Sequence, residues 1–101
     1  MRSSDETFKA LADPTRREVL RLLGDGEMTA GQIADHFAIG RPTLSHHLAV
    51  LKEADLVHCR REGQTLWYAL NTSVLQGVVA WALDVSDRVG KKGASSKRRP
   101  T

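Results

Sequence analysis

The segment from Arg41 to Lys52 has the residue types and spacing that best fit a binding function, and it contains no acidic residue. In a helix of about 100° per residue, Leu44, Leu48 and Leu51 form an apolar stripe that faces a core. The other side is small and polar, so it can sit deep in the DNA major groove, which is about 12 Å wide. Solvated helix faces usually carry Glu and Lys instead. The predicted DNA-contact residues of this helix are Arg41, Pro42, Thr43, Ser45 and His46.

A β-hairpin is predicted directly after this helix. Residues 56–60 and 65–70 are rich in β-branched and aromatic side chains, which favour strands, and a glycine lies in the turn between them. Cations on a projecting hairpin suit contacts to phosphates or to the narrow minor groove. A solubilising charged turn is the alternative, and Glu62 favours it. The predicted contact residues of the hairpin are Arg60, Arg61 and Gln64.

The adjacent histidines His46 and His47 raise the question of a metal site. Neighbouring side chains on a helix point about 100° apart and do not converge on one ion, so we expect no metal site and no cofactor. His47 flanks the leucine stripe and is predicted to be half-buried, with a hydrogen bond that ties this helix to the body. The chain also lacks a glycine-flanked nucleophile, a phosphate loop and paired carboxylates, so it is not expected to be an enzyme.

Local start signals predict short helices before this segment. Ser4 is a good N-cap for a first helix, and Asp13 followed by Pro14 starts a second one. Thr29 and Gln32 have the spacing of a capping box, which starts a third. Two short helices joined by a break of about four residues that contains glycine are typical of a helix-turn-helix. The hairpin that follows is then a wing, so the predicted fold is mainly α with a small β-hairpin, a winged helix-turn-helix.

The last predicted helix, which starts near Asn71, is apolar on almost every side. Such a helix must be buried on more than one side. Pairing of the first and last helices with those of a second copy supplies a two-fold dimer. Two alternatives are that the helix completes the core of its own chain, or that it docks another protein. The predicted dimer interface comprises Phe8, Leu11, Leu75, Val78, Val79, Trp81, Ala82 and Val85.

Composition is that of one small domain, since the chain has 101 residues and a formal net charge of +3. The charge is uneven: nine basic and twelve acidic residues lie before residue 88, and six basic residues with no acid follow. We predict a folded domain over residues 1–89 and a basic, disordered tail over residues 90–101. The single cysteine, Cys59, forms no internal disulfide and is expected to be a core or strand residue. No signal peptide or membrane insertion is expected, which favours the cytoplasm and association with the nucleoid.

Three runs of sequence resemble the ArsR family of winged-helix repressors: FKALADPTRREVLRLL at 8–23, MTAGQIADHF at 28–37 and RPTLSHHLAVLKEADLV at 41–57. RREGQTLWYALNTSVLQ at 60–76 is similar to the SdpR-like branch of autorepressors. The resemblance implies a homodimer that reads a palindromic operator on double-stranded DNA and represses transcription, often of its own gene. It also implies release by a regulatory protein partner rather than by an ion.

Two positions depart from the family pattern. Gly40 stands where a serine usually precedes the recognition helix, so its N-cap is weaker. Thr29 and Gly31 stand where metal-sensing members carry a pair of cysteines. The residues therefore predict a DNA-binding repressor without a metal-sensing site. The rival functions are a winged-helix module that binds protein through its apolar C-terminal helix, and a regulatory subunit of an enzyme.

Overall fold

The computed structural model describes the backbone of residues 4–96 and the side chains of residues 5–89. Five helices and three strands follow one another in the described chain. They are α1 (Ser4–Leu11), α2 (Pro14–Leu23), β1 (Met28–Thr29), α3 (Ala30–Ala34), α4 (Arg41–Glu53), β2 (Val57–Glu62), β3 (Thr65–Leu70) and α5 (Thr72–Ser96).

The start of α2 is capped as predicted. The Asp13 carboxylate accepts hydrogen bonds from the backbone N–H groups of Thr15, at 2.7 Å, and Arg16, at 3.1 Å. The bond from Arg16 holds the pKa of Asp13 below its ordinary value, against the opposing effect of desolvation. Pro14 lies in the first turn of α2, where a backbone N–H would have no partner within the helix, so the missing N–H of proline costs nothing.

The core lies between α2, α3 and α4. The predicted capping box of α3 is present, since the Thr29 hydroxyl accepts from the Gln32 N–H and the Gln32 side chain accepts from the Thr29 N–H. Helix α3 ends at Ala34, so Phe37 packs against the core from the segment that follows the helix. The buried apolar residues are Ala10, Val19, Leu20, Leu23, Ile33, Leu44, Leu48, Leu51, Ala54, Leu56 and Val57.

The sheet has one strand more than the sequence predicts. Its order is β1-β3-β2, and β1 pairs antiparallel with β3 through Met28 opposite Tyr68 and Thr29 opposite Trp67. A strand of two residues is too short to show an alternating pattern, which is why the sequence did not reveal it. The predicted hairpin is confirmed, with Gly63 at its tip at φ 63°, a backbone conformation that favours glycine. Strand β2 continues to Glu62, two residues past its predicted end at Arg60.

Helix α5 starts against the body and then leaves it. The Asn71 backbone N–H donates to the Leu56 carbonyl at 2.9 Å, and the Asn71 side chain donates to the Asp55 carbonyl at 2.9 Å. Val74 and Leu75 in the first turns pack against the core. The helix continues to Ser96, which lies within the predicted tail of residues 90–101.

The predicted disordered tail comprises residues 90–101, and its last five residues, 97–101, lie outside the described residues. The predicted domain boundary at residue 89 stays a prediction. None of the helices within residues 4–96 is long and apolar enough to cross a membrane.

Candidate nucleic-acid interface

The exposed face of α4 carries the residues that the sequence predicts to contact DNA. Leu44, Leu48 and Leu51 are all at most 3% exposed, and they hold the helix against the core. This anchoring fixes which side of α4 faces solvent. The exposed residues on that side are Arg41, Pro42, Thr43, Ser45, His46 and Ala49. The structure therefore brings all five predicted contacts of this helix to one surface.

The N-terminus of α4 has no side-chain cap. Gly40 is the N-cap residue, and the first turn contains no acidic side chain. The first N–H groups of a helix have no partner within it, and they give its N-terminus a partial positive charge. Arg41 adds a full positive charge in the same turn. This end of the helix is therefore electropositive as well as exposed.

The predicted role of His47 as an anchor is confirmed. His47 is half-buried, and its Nδ1 lies 3.2 Å from an Nη atom of Arg16 on α2. The same guanidinium donates to the carbonyls of Ala10, at 2.8 Å, and Lys9, at 3.1 Å. Arg16 thus links the C-terminal end of α1 to the recognition helix. The sequence pattern pointed to His47 but did not reveal this partner.

In the wing, Arg60 is occupied within the protein. Its guanidinium pairs with the carboxylate of Glu27, reaches Glu62 at 3.1 Å, and lies 5.5 Å from the centre of the Trp67 ring. The hydrogen bond to Glu27, followed by that to Glu62, raises the pKa of Arg60 above its already high ordinary value. Arg60 is thus charged, but its charge is balanced by ion pairs with two carboxylates of the same chain. Glu27 lies 33 positions away in the sequence, so no local pattern could have revealed it.

The tip of the wing has a different character. Arg61 and Gln64 are exposed on either side of the turn at Gly63. Within the described part of the chain, no side-chain hydrogen bond or ion pair engages the Arg61 guanidinium. Of the three predicted wing contacts, these two are the ones whose side chains are available to an outside ligand.

An apolar groove lies between α1 and α5. The rings of Phe8 and Trp81 are 5.1 Å apart at 59°, yet Phe8 stays 42% exposed and Trp81 54% exposed. The groove beside them has a volume of about 410 Å³, and Val74, Gly77 and Val78 contribute to its lining. Such an exposed aromatic pair is typical of a surface that another molecule covers.

The other predicted interface residues of α1 and α5 divide into two groups. Leu11 and Leu75 already pack against the core of their own chain. Val79 and Val85 are exposed, as is Ala82. Leu83, which is outside the predicted interface, is 64% exposed. The core of one chain thus leaves most of α5 uncovered, which argues against the alternative that this helix only completes that core.

Comparison with known proteins bears on the function of these surfaces. A family model described as a helix-turn-helix domain matches residues 11–60. The transcriptional repressor SdpR of Bacillus subtilis (strain 168) is 51% identical over 80 residues, which are 79% of this chain and 89% of that protein. A crystal structure of an ArsR family transcriptional regulator aligns with a TM-score of 0.75 at 27% identity, covering 86% of this chain and 94% of the other. The chain belongs to the ArsR family.

The ArsR-family chain is thus a DNA-binding transcriptional repressor with a winged helix-turn-helix fold, as the sequence predicts. A further structural relative is the homodimeric winged helix-turn-helix DNA-binding domain from Mycobacterium bovis. It aligns with a TM-score of 0.69 at 32% identity, over 83% of this chain and 78% of that one.

Proposed function

We propose that this ArsR-family repressor acts as a homodimer on a two-fold symmetric operator, with one copy of α4 in each of two successive major grooves. The observation that carries the proposal is the exposed face of α4, which has no acidic residue from Arg41 to Lys52 and is anchored by three buried leucines. Its thirteen residues span roughly 20 Å at about 1.5 Å per residue. That length and the small side chains suit a helix that lies within the groove.

Each part of the surface has a distinct role in this proposal. Thr43, Ser45 and His46 read base edges from α4, and Arg41 and Pro42 meet the DNA at its N-terminal end. Arg61 and Gln64 at the wing tip contact the neighbouring backbone or minor groove, which orients the protein but carries little sequence information. Arg60 joins them only when its pairs with Glu27 and Glu62 open.

A second copy of the chain is the proposed occupant of the apolar face of α1 and α5. Support comes from the half-exposed Phe8 and Trp81 pair, and from the related domain of Mycobacterium bovis, which is homodimeric. In this proposal a two-fold axis through this face relates the two copies of α4, and both must lie on the same side of the dimer to reach one duplex. In such dimers the half-sites lie about one turn of DNA apart, or a multiple of it.

The proposal includes repression without a metal ion. The candidate oxygen ligands have other partners, because the Thr29 hydroxyl caps α3 and the Asp84 carboxylate accepts from Arg88 Nε at 3.2 Å. Within the side chains of residues 5–89, no cluster of three or more His, Cys, Asp or Glu residues could hold an ion. Addition of Zn²⁺, Cd²⁺, arsenite or a chelator should therefore leave DNA affinity unchanged. A tenfold shift at micromolar concentration would contradict this part of the proposal.

The first experiment identifies the DNA. Repeated selection from a random pool for binding to the wild-type protein should yield duplexes with an inverted repeat, and we call the tightest of them the selected duplex. A scrambled duplex of the same length and composition is the reference. If the DNA upstream of the protein's own coding sequence contains the same repeat, the protein acts as an autorepressor in the cytoplasm. Selection that enriches no sequence would contradict specific DNA binding.

The second experiment tests the dimer. Trp81→Glu places a charge in the proposed apolar interface, where an unpaired buried charge is strongly destabilising. Ala80→Glu is the matched control, because Ala80 is exposed and lies on the polar side of α5 together with Asp84. We expect sedimentation to show a monomer for Trp81→Glu and a dimer for Ala80→Glu, with specific binding lost only in the first. A wild-type monomer at micromolar concentration would overturn the symmetric model and favour a face that docks a different protein, such as a regulatory partner.

A further inference from the structure

Arg16 joins α1 to α4 through hydrogen bonds of its side chain. It stands in the first turn of α2, and its guanidinium reaches acceptors on both neighbouring helices. The Nε atom donates to the Ala10 carbonyl at 2.8 Å, and one Nη donates to the Lys9 carbonyl at 3.1 Å. The other Nη lies 3.2 Å from His47 Nδ1. Arginine is suited to this position, because its planar guanidinium presents five donors in a fixed arrangement.

The contacts on α1 are those of a helix cap. The last carbonyl groups of a helix have no N–H partner within it, and a positive charge is favourable near them. Arg16 therefore orients the end of α1. This is the helix that carries Phe8, whose ring packs on Trp81 of α5.

The contact on α4 selects one tautomer of the neutral His47 ring. A guanidinium only donates hydrogen bonds, so Nδ1 must accept, and the single ring proton of neutral His47 lies on Nε2. His47 is next to His46, whose side chain points about 100° further round the helix. A hydrogen bond that fixes His47 therefore also limits rotation of α4 about its own axis, and with it the direction of His46.

We propose that Arg16 is a positioning residue that, in addition to the buried leucines, restricts the remaining rotation of α4 through His47 and connects that rotation to α1. The proposal rests on the proposed function, since it concerns how the DNA-reading face is oriented. It goes further by coupling the proposed dimer face to α4. A shift of α1 moves the Lys9 and Ala10 carbonyls that accept from Arg16, and Arg16 then moves His47. Sequence-specific affinity then depends on a residue that does not itself touch DNA.

The first test uses two substitutions of nearly equal shape. His47→Asn keeps an acceptor near the position of Nδ1, whereas His47→Leu removes it. A hydrogen bond to a charged group contributes enough to change affinity about tenfold, so His47→Leu should bind the selected duplex about tenfold more weakly. His47→Asn should stay within about twofold of the wild type, and binding to the scrambled duplex should change in neither variant. Sedimentation and thermal unfolding verify that both variants are folded dimers.

A double-mutant cycle tests whether Arg16 acts through His47. Arg16→Lys keeps the charge but loses the planar arrangement of donors. We expect it to weaken binding to the selected duplex in the wild-type background and to have little further effect in the His47→Leu background. Equal effects in both backgrounds would show that Arg16 only stabilises the fold, and they would overturn the proposal.

The state of the histidine ring gives a readout that is independent of DNA. Long-range ¹H–¹⁵N spectra of the wild-type dimer should show an unprotonated Nδ1 for His47, and Arg16→Lys should perturb that resonance. A protonated Nδ1 would overturn the proposal even if a variant failed to fold. Unchanged specific affinity in His47→Leu, or equal losses in the Leu and Asn variants, would do the same. Failure of the wild type to distinguish the selected from the scrambled duplex would instead count against the proposed function.

Discussion

The recognition helix and the wing both carry residues that the sequence predicts to contact DNA, but the protein holds them in different ways. Helix α4 is fixed from beneath by buried leucines and by His47, and its exposed face is left to solvent. The wing is a hairpin whose tip is exposed, and its first arginine, Arg60, pairs with two carboxylates and lies against Trp67. The difference shows that a basic residue in a binding motif is not necessarily a free charge. Rigidity and specificity are therefore expected from α4, and adjustable electrostatic affinity from the wing.

The largest expected effect concerns how firmly each region is anchored. Leu48 on α4 is 3% exposed, so Leu48→Ala removes packing atoms from the core and should lower the free energy of unfolding by about 2–5 kcal/mol. Leu66 near the wing tip is half-buried, and Leu66→Ala should cost much less. Urea unfolding followed by circular dichroism measures both. Similar losses in the two variants would mean that the wing is as firmly anchored as α4.

The next effect separates base reading from backbone contact. His46→Ala should weaken binding to the selected duplex by about 1–3 kcal/mol and leave the scrambled duplex unaffected, because a lost base contact matters only where the right base is present. Arg61→Ala should weaken binding to both duplexes and reduce the slope of log K against log salt by about 0.9, as expected for one lost phosphate contact. If Arg61→Ala affected only the selected duplex, the wing would be a reader of sequence.

A smaller effect, of opposite sign, tests the occupied arginine. Glu27→Gln removes one charged partner of Arg60 and leaves only the pair with Glu62. It should strengthen binding to both duplexes, with a salt slope steeper by up to about 0.9, because Arg60 can then turn more easily to a phosphate. Asp84→Asn is the matched control, since it makes the same charge change and removes the pair with Arg88 on α5. Should Glu27→Gln weaken binding instead, the Glu27 pair orients the wing rather than competing with DNA.

The smallest effect concerns the start of α4. Gly40 has φ −71° and ψ 156°, which other residues adopt freely, and a Cβ there meets only the Pro42 Cδ at an ordinary 3.6 Å. Gly40→Ser adds an N-cap acceptor and should raise the free energy of unfolding by about a few tenths of a kcal/mol. Gly40→Ala, which adds no acceptor, should bring no gain. An equal gain from alanine would point to the unfolded chain, and not the cap, as the source of the effect.

Much of the local structure could be predicted from short-range patterns. The Asp13 cap, the Thr29–Gln32 capping box and the apolar stripe of α4 depend on neighbours within one helical turn, and all three are present. The hairpin with Gly63 at its tip follows from the same kind of local rule. The exposed face of α4 then follows, because burial of the leucine stripe leaves only the opposite side of the helix in contact with solvent.

The sequence by itself thus determined the order of the helices, the hairpin and the exposed side of α4, since each depends on contacts within a few residues. Only the tertiary structure decided that Arg60 pairs with Glu27, 33 positions away, and that Arg16 binds His47, 31 positions away. It also decided that two residues, Met28 and Thr29, form a third strand. The physical reason is that a long side chain can reach any acceptor that folding brings near it. Which acceptor that is depends on how the helices and strands pack, and no spacing along the chain records it.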